Sequence, residues 1–506
     1  MPQSATRPLN SSNTVMTGST TPFAGTVPHN EVTSSISTAR AATDTAIRHM
    51  TTEDSMSIHQ LVVIGYDEIF RNKYMPVIRD AIAEGHLDSW SLIDLESERE
   101  VIEARLVGAD PQPRTKFFVQ SDRGDPALAL ETAQTALRFL RLPGLPMLAY
   151  IATEVGSHEQ YLRRCVAEGI NSLVEKPVLA PMTDGAFEPA LISTTMAELI
   201  ADASGRTARH SVMTLSRYHS IYNDRLIQPL RDRMLAWKAP LTSFHLRAAG
   251  GVWNLSHEFV TRDDHPYRHG YGMLMHGSYH YVDLAVQVLA LNKLLFRGRP
   301  LRLQVCSFGA FPADQDQRVS ARATKMLGGH SKCAALAREP RRYGETDITS
   351  TFRLIDAESD TTITLGTLSF EQTTPSIRSW RAFPDGVYNK NGRTSSVDLE
   401  AQLSTLYSVH VHCYDVPRGP DADKIGAVAE ILTRANASLL TDDEYVSRET
   451  FDGLFHSDSN RALMQNWLRG NETRSRLQDH YLPMRVTEAL ALSLRIPGQI
   501  VEVDGF

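Results

Sequence analysis

The 506-residue sequence has no apolar run that approaches the ~20 residues a helix needs to cross a bilayer. Cysteine is scarce, and no two of the four cysteines form a C-x-x-C pair, so they predict reduced thiols in a cytoplasmic protein: Cys165, Cys306, Cys333 and Cys413. The net charge is only −7, which provides no strong field for nucleic acid or an anionic membrane. We therefore expect a soluble globular protein, long enough for two domains, with neither of those partners.

The first segment, residues 1–56, lacks the apolar residues of a folded domain. Twenty of its first 55 residues are Ser or Thr, and Phe23 is its one aromatic residue. Such a composition predicts a disordered tail. The segment has no apolar core of a secretory signal, and one hypothesis is that the natural chain starts at Met56.

Apolar runs alternate with helical patterns over residues 57–216. The predicted strands are Leu61–Ile64, Trp90–Asp94, Lys116–Gln120, Met147–Ala152, Ile170–Val174 and Ser211–Leu215. Continuous apolar runs are typical of strands that are covered on both faces. This rhythm predicts an α/β domain of Rossmann type, built on a doubly wound parallel sheet that binds a dinucleotide.

The sequence pattern changes over residues 217–506, where apolar and polar residues alternate along several segments. Alternation indicates antiparallel strands with one solvated face. We predict an α+β domain for substrate binding and oligomerisation, with a large, mostly antiparallel open sheet. Two helices are expected in it, at Gly272–Leu291 and Leu482–Leu494.

The turn after the first strand is poor in glycine. A dinucleotide fingerprint G-x-G-x-x-G would place glycines at positions 65, 67 and 70, and only Gly65 is present. Asp67 adds bulk and negative charge, although a helix N-terminus still offers N–H groups to an anion. The candidate cofactor-binding residues of this turn are Gly65, Asp67, Ile69 and Phe70. Taken alone, this turn is better interpreted as an ordinary strand-to-helix connection.

Two further segments follow predicted strands of the same sheet. Asp94 would accept hydrogen bonds from the ribose hydroxyls of NAD, or else its side chain caps the next helix. Thr153 and His158 suit contacts to the nicotinamide ribose, but an N-cap by Ser157 would explain the same segment.

Lys176 stands at the end of the fifth strand, in Glu175-Lys176-Pro177. There it would project into the crevice where open α/β sheets bind ligands, unless it is an ordinary solvated lysine. His276 and His280 lie one turn apart on a predicted helix. No clear third ligand accompanies them, so no metal site is predicted. One of the two could be a hydrogen-bonded core residue, while His280 suits a general acid or base near neutral pH.

These residues together resemble the Gfo/Idh/MocA family, the glucose–fructose oxidoreductase and inositol dehydrogenase group. Glu175-Lys176-Pro177 is similar to the family's E-K-P motif. The segment Tyr271–Asp283 resembles its G-G-x-x-x-D-x-x-x-H-x-x-D pattern, and Ser475–His480 before the last helix is similar to its closing segment. The resemblance covers about residues 58–495.

The resemblance implies hydride transfer between NAD(P) and an alcohol carbon of a sugar, cyclitol or similar polyol. By position, Glu175 and Lys176 would contact the cofactor, Lys176 would polarise the reacting oxygen and His280 would exchange its proton. His276 replaces the family's Asp and is a candidate substrate contact. Trp253 and Asn254 could line the sugar site, although a core Trp is an equal alternative. A homodimer or homotetramer is implied as well.

Asp94 favours NAD over NADP, because an acid at this place would repel a 2′-phosphate. The leading hypothesis is an NAD(P)-dependent oxidoreductase. A dehydrogenase-like protein that binds a nucleotide or sugar without turnover is the alternative that the missing glycines favour. A third hypothesis is a hydrolase that uses tightly held NAD for transient oxidation.

Overall fold

A computed structural model describes residues 58–67, 69–120, 126–262, 265–326, 332–375, 395–418, 424–440, 444–454 and 456–506. Residues 1–56, for which the sequence predicts a disordered tail, lie outside these ranges. Within them, no helix is both long and apolar enough to cross a membrane. The four cysteines are free thiols, as the sequence predicts.

The first sheet has six parallel strands in the order β3-β2-β1-β4-β5-β6. Its strands are β1 His59–Ile64, β2 Leu87–Leu95, β3 Lys116–Val119, β4 Met147–Ile151, β5 Asn171–Glu175 and β6 His210–Met213. This order reverses between β1 and β4, which creates a crevice at the carboxyl ends of the strands. The predicted doubly wound parallel sheet is confirmed.

The second sheet follows from β7 onward and has nine strands in the order β14-β13-β12-β11-β7-β10-β9-β8-β15. They are β7 Leu241–Trp253, β8 Leu301–Ala310, β9 Asp347–Asp356, β10 Thr361–Pro375, β11 Ser396–Leu403, β12 Tyr407–Arg418, β13 Lys424–Ala435, β14 Val446–Leu454 and β15 Val501–Asp504. Among the described residues of this sheet, only β7 and β10 pair in parallel, so the predicted antiparallel character is also confirmed. A short hairpin joins Met182–Thr183 to Ala186–Phe187.

Helices cover both faces of the first sheet and one face of the second. They are α1 Met75–Ala83, α2 Arg99–Leu106, α3 Pro126–Leu140, α4 His158–Glu168, α5 Ile192–Ala203, α6 Gln228–Trp237, α7 Glu258–Thr261, α8 Tyr279–Leu289, α9 Pro312–Arg318, α10 Ala321–Met326, α11 Ala334–Arg338, α12 His456–Leu468 and α13 Tyr481–Arg495. Three π-helical segments lead directly into α1, α6 and α8: Phe70–Tyr74, Ile221–Ile227 and Leu274–Ser278. Short 3₁₀ turns are at Glu96–Glu98, Val155–Ser157, Pro189–Leu191, Tyr267–His269, Ala290–Leu294 and Leu477–His480.

Strand β1 shows why the parallel strands are apolar runs. Val62 and Ile64 face a core formed with α3, α4 and α5, whereas Leu61 and Val63 face a core formed with α1, α2 and α12. All four side chains are buried, because each face is covered by helices.

The C-terminal part of the chain returns to the first sheet and protects its edge. The carbonyl of Ser475 accepts the N–H of Val212 in β6 at 2.8 Å, and the Ser475 hydroxyl donates to the Val212 carbonyl at 2.6 Å. An uncovered edge strand would offer these groups to another chain. The closing segment named in the sequence therefore has a structural role next to β6.

Candidate active site

Gly65 makes the turn that leaves β1 at the crevice. Its φ is +92°, and a Cβ there would lie 2.7 Å from the carbonyl oxygen of Ala152 after β4. Both the conformation and the close approach require glycine. The first glycine of the fingerprint is thus retained for a backbone reason.

Asp67 occupies the start of the helix that follows. Its Oδ1 accepts the backbone N–H of Phe70 at 2.7 Å, and its carbonyl accepts the N–H of Arg71 at 3.1 Å. Desolvation by the surrounding crevice raises the pKa of this carboxyl to about 6, and the hydrogen bond from the Phe70 N–H opposes the rise. The side chain itself remains exposed to solvent. Ile69 is half-buried beside it, and the ring of Phe70 is fully buried.

Asp94 holds the Gly65 turn in place. Its Oδ2 accepts the N–H of Tyr66 at 2.7 Å, and its Oδ1 accepts the N–H of Leu95 at 2.7 Å. Burial raises the pKa of Asp94, and these two hydrogen bonds oppose the rise. The helix-capping alternative is wrong, because Leu95 is the N-cap of the 3₁₀ turn that follows. Binding of ribose hydroxyls stays a prediction.

The segment after β4 is organised by His158 rather than by Ser157. The ring of His158 is buried, with Nδ1 at 2.9 Å from the Pro177 carbonyl and Nε2 at 2.9 Å from the Thr153 carbonyl. It therefore joins the loop after β4 to the loop after β5. Ser157 makes no capping hydrogen bond, so that alternative is wrong; Glu154 instead accepts the N–H of Gly156 at 2.8 Å.

Two buried tyrosines hold the carboxylate of Glu175 by hydrogen bonds. Tyr150 donates to its Oε1 at 2.7 Å, and Tyr74 donates to the same oxygen at 3.3 Å. Neither tyrosine was singled out in the sequence, because the tyrosines are 25 and 101 residues away along the chain. The carboxylate is thereby held beside Lys176.

Lys176 reaches from the first sheet to the start of the helix that carries both candidate histidines. Its Nζ donates to the backbone carbonyl of His276 at 2.6 Å. Burial lowers the pKa of Lys176, while the adjacent Glu175 carboxylate acts in the opposite direction. The alternative of a solvated surface lysine is wrong. The structure brings together the two elements that the sequence pairs, Lys176 and the His276–His280 helix.

His276 is buried among aromatic and basic side chains. Its ring centroid lies 4.8 Å from those of His265 and Tyr267 and 5.7 Å from that of Tyr271. Burial, together with the charges of His265, Lys176 and Arg262, lowers the pKa of His276 well below its ordinary value. His276 is therefore neutral at physiological pH. Among the described residues, none gives the buried Nε2 a hydrogen-bond partner, so the hydrogen-bonded core alternative does not describe this atom.

His280 is oriented by the chain that leaves β6. The N–H of Leu215 donates to its Nδ1 at 3.2 Å, and the Thr214 hydroxyl lies 3.4 Å from the same nitrogen. An N–H can only donate, so Nδ1 accepts and the proton of the neutral ring resides on Nε2. The His280 ring lines a cleft of about 190 Å³.

That cleft lies against the second sheet. Its lining comes from β7, the helix start and strands β11 and β12: Ala248, Ala249, Gly250, Gly251, Met273, Gly277, His280, Tyr281, Ser395, Ser396, Val397, Cys413, Tyr414 and Asp415. Trp253 and Asn254 are absent from this lining. Trp253 is half-buried under the guanidinium of Arg318 at 5.8 Å, and buried Asn254 accepts from Arg262 at 2.6 Å. Their role at a sugar site stays a prediction.

Asp283 joins α8 to the chain segment that follows β6. It is fully buried and binds Arg217 through Nη2–Oδ1 at 2.6 Å, while Ser216 donates to Oδ2 at 2.5 Å. Burial alone would raise the pKa of Asp283, but the Arg217 ion pair outweighs it and leaves the pKa below its ordinary value. Asp283 thus stabilises the packing of the β6 exit against α8.

Glu345 is a buried acid that the sequence did not reveal. Its Oε1 accepts the N–H of Leu274 at 2.6 Å, so it caps the helical segment that carries His276. The two chain segments cross in close contact: a Cβ on Gly272 would overlap the Glu345 carbonyl, and one on Gly344 would overlap the Tyr271 carbonyl. In the sequence, only Gly272 and Gly344 could have indicated this close crossing. Glu345 itself gives no local signal, because 71 residues separate it from Leu274.

Burial raises the pKa of Glu345 to about 7, whereas an unfolded Glu titrates near 4.3. A raised folded pKa means that the protonated carboxyl contributes stability below about pH 4.3, and that this contribution is lost as the pH rises through about 7. Glu345→Gln keeps an acceptor for Leu274 and removes the ionisation. Between pH 4.5 and 8, the wild type should lose about 3 kcal/mol of unfolding free energy relative to the variant.

Urea unfolding across this pH range measures that difference. The exposed Glu400→Gln is the matched control and should titrate in parallel with the wild type. Parallel curves for Glu345→Gln and the wild type would contradict the raised pKa.

The site fits one end of a dinucleotide better than the other. The crevice, the Gly65 turn and the hydrogen bond from Lys176 to the helical segment that leads to His280 are compatible with a nicotinamide and its substrate. The pyrophosphate end fits poorly, because Asp67 already takes the Phe70 N–H. Within the described ranges, no group of three or more His, Cys, Asp or Glu residues could hold a metal ion. Asp263 and Asp264, which accompany the histidines in the sequence, lie outside those ranges.

Solved structures match the chain along nearly its full length. An oxidoreductase domain protein from Kribbella flavida is 14% identical, with a TM-score of 0.52, over 88% of this chain and 100% of the other. The chain has the Gfo/Idh/MocA fold. The resemblance in the sequence is thereby confirmed at the level of the fold.

Two further structures agree with this fold. An aldose–aldose oxidoreductase from Caulobacter crescentus, complexed with glycerol, is 13% identical with a TM-score of 0.51 over 88% and 99% of the two chains. A levoglucosan dehydrogenase in complex with NADH and levoglucosan is 11% identical with a TM-score of 0.50 over 88% and 100%. No protein-family model and no curated protein matches this sequence.

Proposed function

We propose that this protein is an oxidoreductase that interconverts a secondary alcohol and a ketone, on a sugar, cyclitol or related polyol, with a nicotinamide nucleotide. One observation carries the proposal. The Lys176 ammonium from the first sheet is fixed 2.6 Å from the His276 carbonyl, one turn before His280 in the cleft lining. A cation and a proton-transfer group are thus combined at a strand end, where this fold class binds ligands.

Each residue would have a separate task. One N–H of Lys176 is used by the His276 carbonyl, and the ammonium has further donors with which to polarise a substrate oxygen. With its proton on Nε2, the His280 ring would donate a hydrogen bond to an oxygen that gains charge during ketone reduction. Transfer of a proton in either direction requires Nδ1 to carry a proton in place of its contact with the Leu215 N–H, and the Thr214 hydroxyl, 3.4 Å away, would then accept the hydrogen bond from Nδ1–H. The nicotinamide, when bound, would supply or accept the hydride.

NAD is the proposed nucleotide, with NADP as the less favoured form. Asp94 stands at the end of β2, where an acid would oppose a 2′-phosphate. The levoglucosan dehydrogenase of similar fold was solved with NADH and levoglucosan, which supports this cofactor and a carbohydrate-like substrate. Glu175, Thr153 and His158 shape the crevice beside the nicotinamide end.

The test combines binding and turnover. NADH binding by fluorescence or calorimetry is expected, followed by reduction of NAD⁺ with at least one member of a panel of sugars, cyclitols and anhydrosugars. Absence of both NADH and NADPH binding would contradict the proposal. A homo-oligomer, implied by the resemblance, can be measured on the same sample by sedimentation.

A protein that binds a nucleotide or sugar without turnover is the second candidate. The Asp67–Phe70 hydrogen bond favours it, because a carboxylate stands where the fingerprint needs glycine. Neutral His276, where the family has Asp, also favours it. Ligand binding without turnover by any member of the panel would distinguish this candidate from the first.

A further inference from the structure

The Gly65 turn has little freedom to rearrange when a ligand arrives. Gly65 packs against the Ala152 carbonyl, and the N–H of Tyr66 is bound to Asp94 at 2.7 Å. The Tyr66 ring is buried and stacks on Trp90 with centroids 6.0 Å apart. The backbone that leads into residue 67 is therefore fixed on both sides.

This fixed turn places the Asp67 carboxylate at the N-terminus of a continuous helical stretch. The stretch runs through the π-helical segment Phe70–Tyr74 into α1, which ends at Ala83. Oδ1 accepts the Phe70 N–H at 2.7 Å, a short distance that is typical of a charge-assisted hydrogen bond. A helix N-terminus favours an anion, and here the chain itself supplies one.

The charges around Asp67 are mixed. Glu175 of β5 adds a negative charge that acts on Asp67, whereas Lys73 of the helical segment that follows and Arg105 of α2 add positive charges. An incoming diphosphate would meet the negative charge of Asp67 at the Phe70 N–H, and the charge of Glu175 would add to this repulsion. A side chain already attached at this point also needs no association entropy, so it competes effectively.

We propose that Asp67 is a built-in competitor for the phosphate groups of the nucleotide, so that it weakens dinucleotide binding at this turn. The inference rests on the nucleotide-binding part of the proposed function and not on turnover. It explains how the fold keeps a glycine at position 65 while the other two fingerprint positions hold an acid and a buried aromatic ring. Asp67 thereby determines how tightly the phosphate end of the ligand is held.

The experiment measures the affinity of ADP-ribose and NADH for the full chain by calorimetry at pH 7.5 and constant ionic strength. Asp67→Asn keeps an acceptor for the Phe70 N–H but removes the charge. Asp67→Gly removes both and opens the backbone to a phosphate. We expect ADP-ribose to bind roughly 10- to 100-fold more tightly to Asp67→Gly than to the wild type, with Asp67→Asn between them. Asp80→Asn, an exposed acid of α1, is the control and should bind like the wild type.

Equal affinity of the wild type and Asp67→Gly for ADP-ribose would overturn the inference. Absence of ADP-ribose binding in every folded variant, with folding checked by thermal melting, would overturn it as well. These results differ from failure of the proposed function. If the wild type turns over polyols and Asp67→Gly binds ADP-ribose no more tightly than the wild type, the proposed function is retained and the inference about Asp67 is wrong. If Asp67→Gly binds ADP-ribose tightly and no variant shows turnover, the inference about Asp67 is supported and the proposed oxidoreductase function is contradicted.

Discussion

Under the proposed function, replacement of Lys176 by Met should lower turnover roughly 10²- to 10⁴-fold, and His280→Asn should lower it by a similar factor. Met has nearly the length of Lys, so packing between the end of β5 and the helical segment at His276 is largely kept while the ammonium is lost. The donor to the His276 carbonyl disappears together with the group that would polarise the substrate oxygen. Asn at position 280 removes the imidazole that would transfer the proton.

The measurement separates chemistry from binding. Both variants should lose kcat, while their dissociation constants for NADH stay within a few-fold of the wild type, because the phosphate end of the site is untouched. Lys325→Met and His257→Asn, at exposed positions, are the matched controls and should keep full turnover. Wild-type kcat in both site variants would contradict the assigned roles.

The sheets were predictable because their physical signals are local. Leu61, Val62, Val63 and Ile64 are all buried, and such a run is expected only where helices cover both faces of a strand. Alternation in β7, where Phe244 and Leu246 are buried and His245 and Arg247 are exposed, indicates a strand with one solvated face. Periodicity of this kind needs no knowledge of distant residues.

The candidate site was predictable only where a motif marked it. Lys176 and His280 stand in short patterns, and the structure brings their elements together. Tyr150, Glu345 and Arg217 act through partners that are distant in the sequence, and nothing local distinguishes them from ordinary core or surface residues. The π-helical first turns before α1 and α8 were also missed, because the shift from an α-helical to a π-helical bond depends on tertiary packing.

Asp94 and Asp67 show how the backbone can use residues that a motif assigns to a ligand. Each acid was interpreted through its spacing from Gly65. In the structure both accept backbone N–H groups of the same turn region, Tyr66 for Asp94 and Phe70 for Asp67. A carboxylate satisfies such N–H groups in the absence of a nucleotide, and the sequence cannot distinguish this role from ligand binding.

Loss of the Arg217 guanidinium should be the most damaging single change to stability near the site. In Arg217→Met, the fully buried Asp283 would lose its charge partner, and such a change typically costs about 3–5 kcal/mol. Arg217 also donates to the carbonyls of Arg474 at 3.2 Å and Asp479 at 2.9 Å, so the closing segment would loosen from β6. Urea unfolding of the wild type and the variant at pH 7 measures the loss.

Arg247→Met is the matched control, because Arg247 makes a similar two-point ion pair with Glu371 on the exposed sheet face. With its side chain 45% exposed, that pair should contribute only about 0.2–1 kcal/mol. The double variant Arg217→Met/Asp283→Asn removes the buried charge as well as its partner, so it should be more stable than Arg217→Met alone. Equal losses in Arg217→Met and Arg247→Met would contradict the buried ion pair as the fixed point that holds the β6 exit, α8 and the closing segment together.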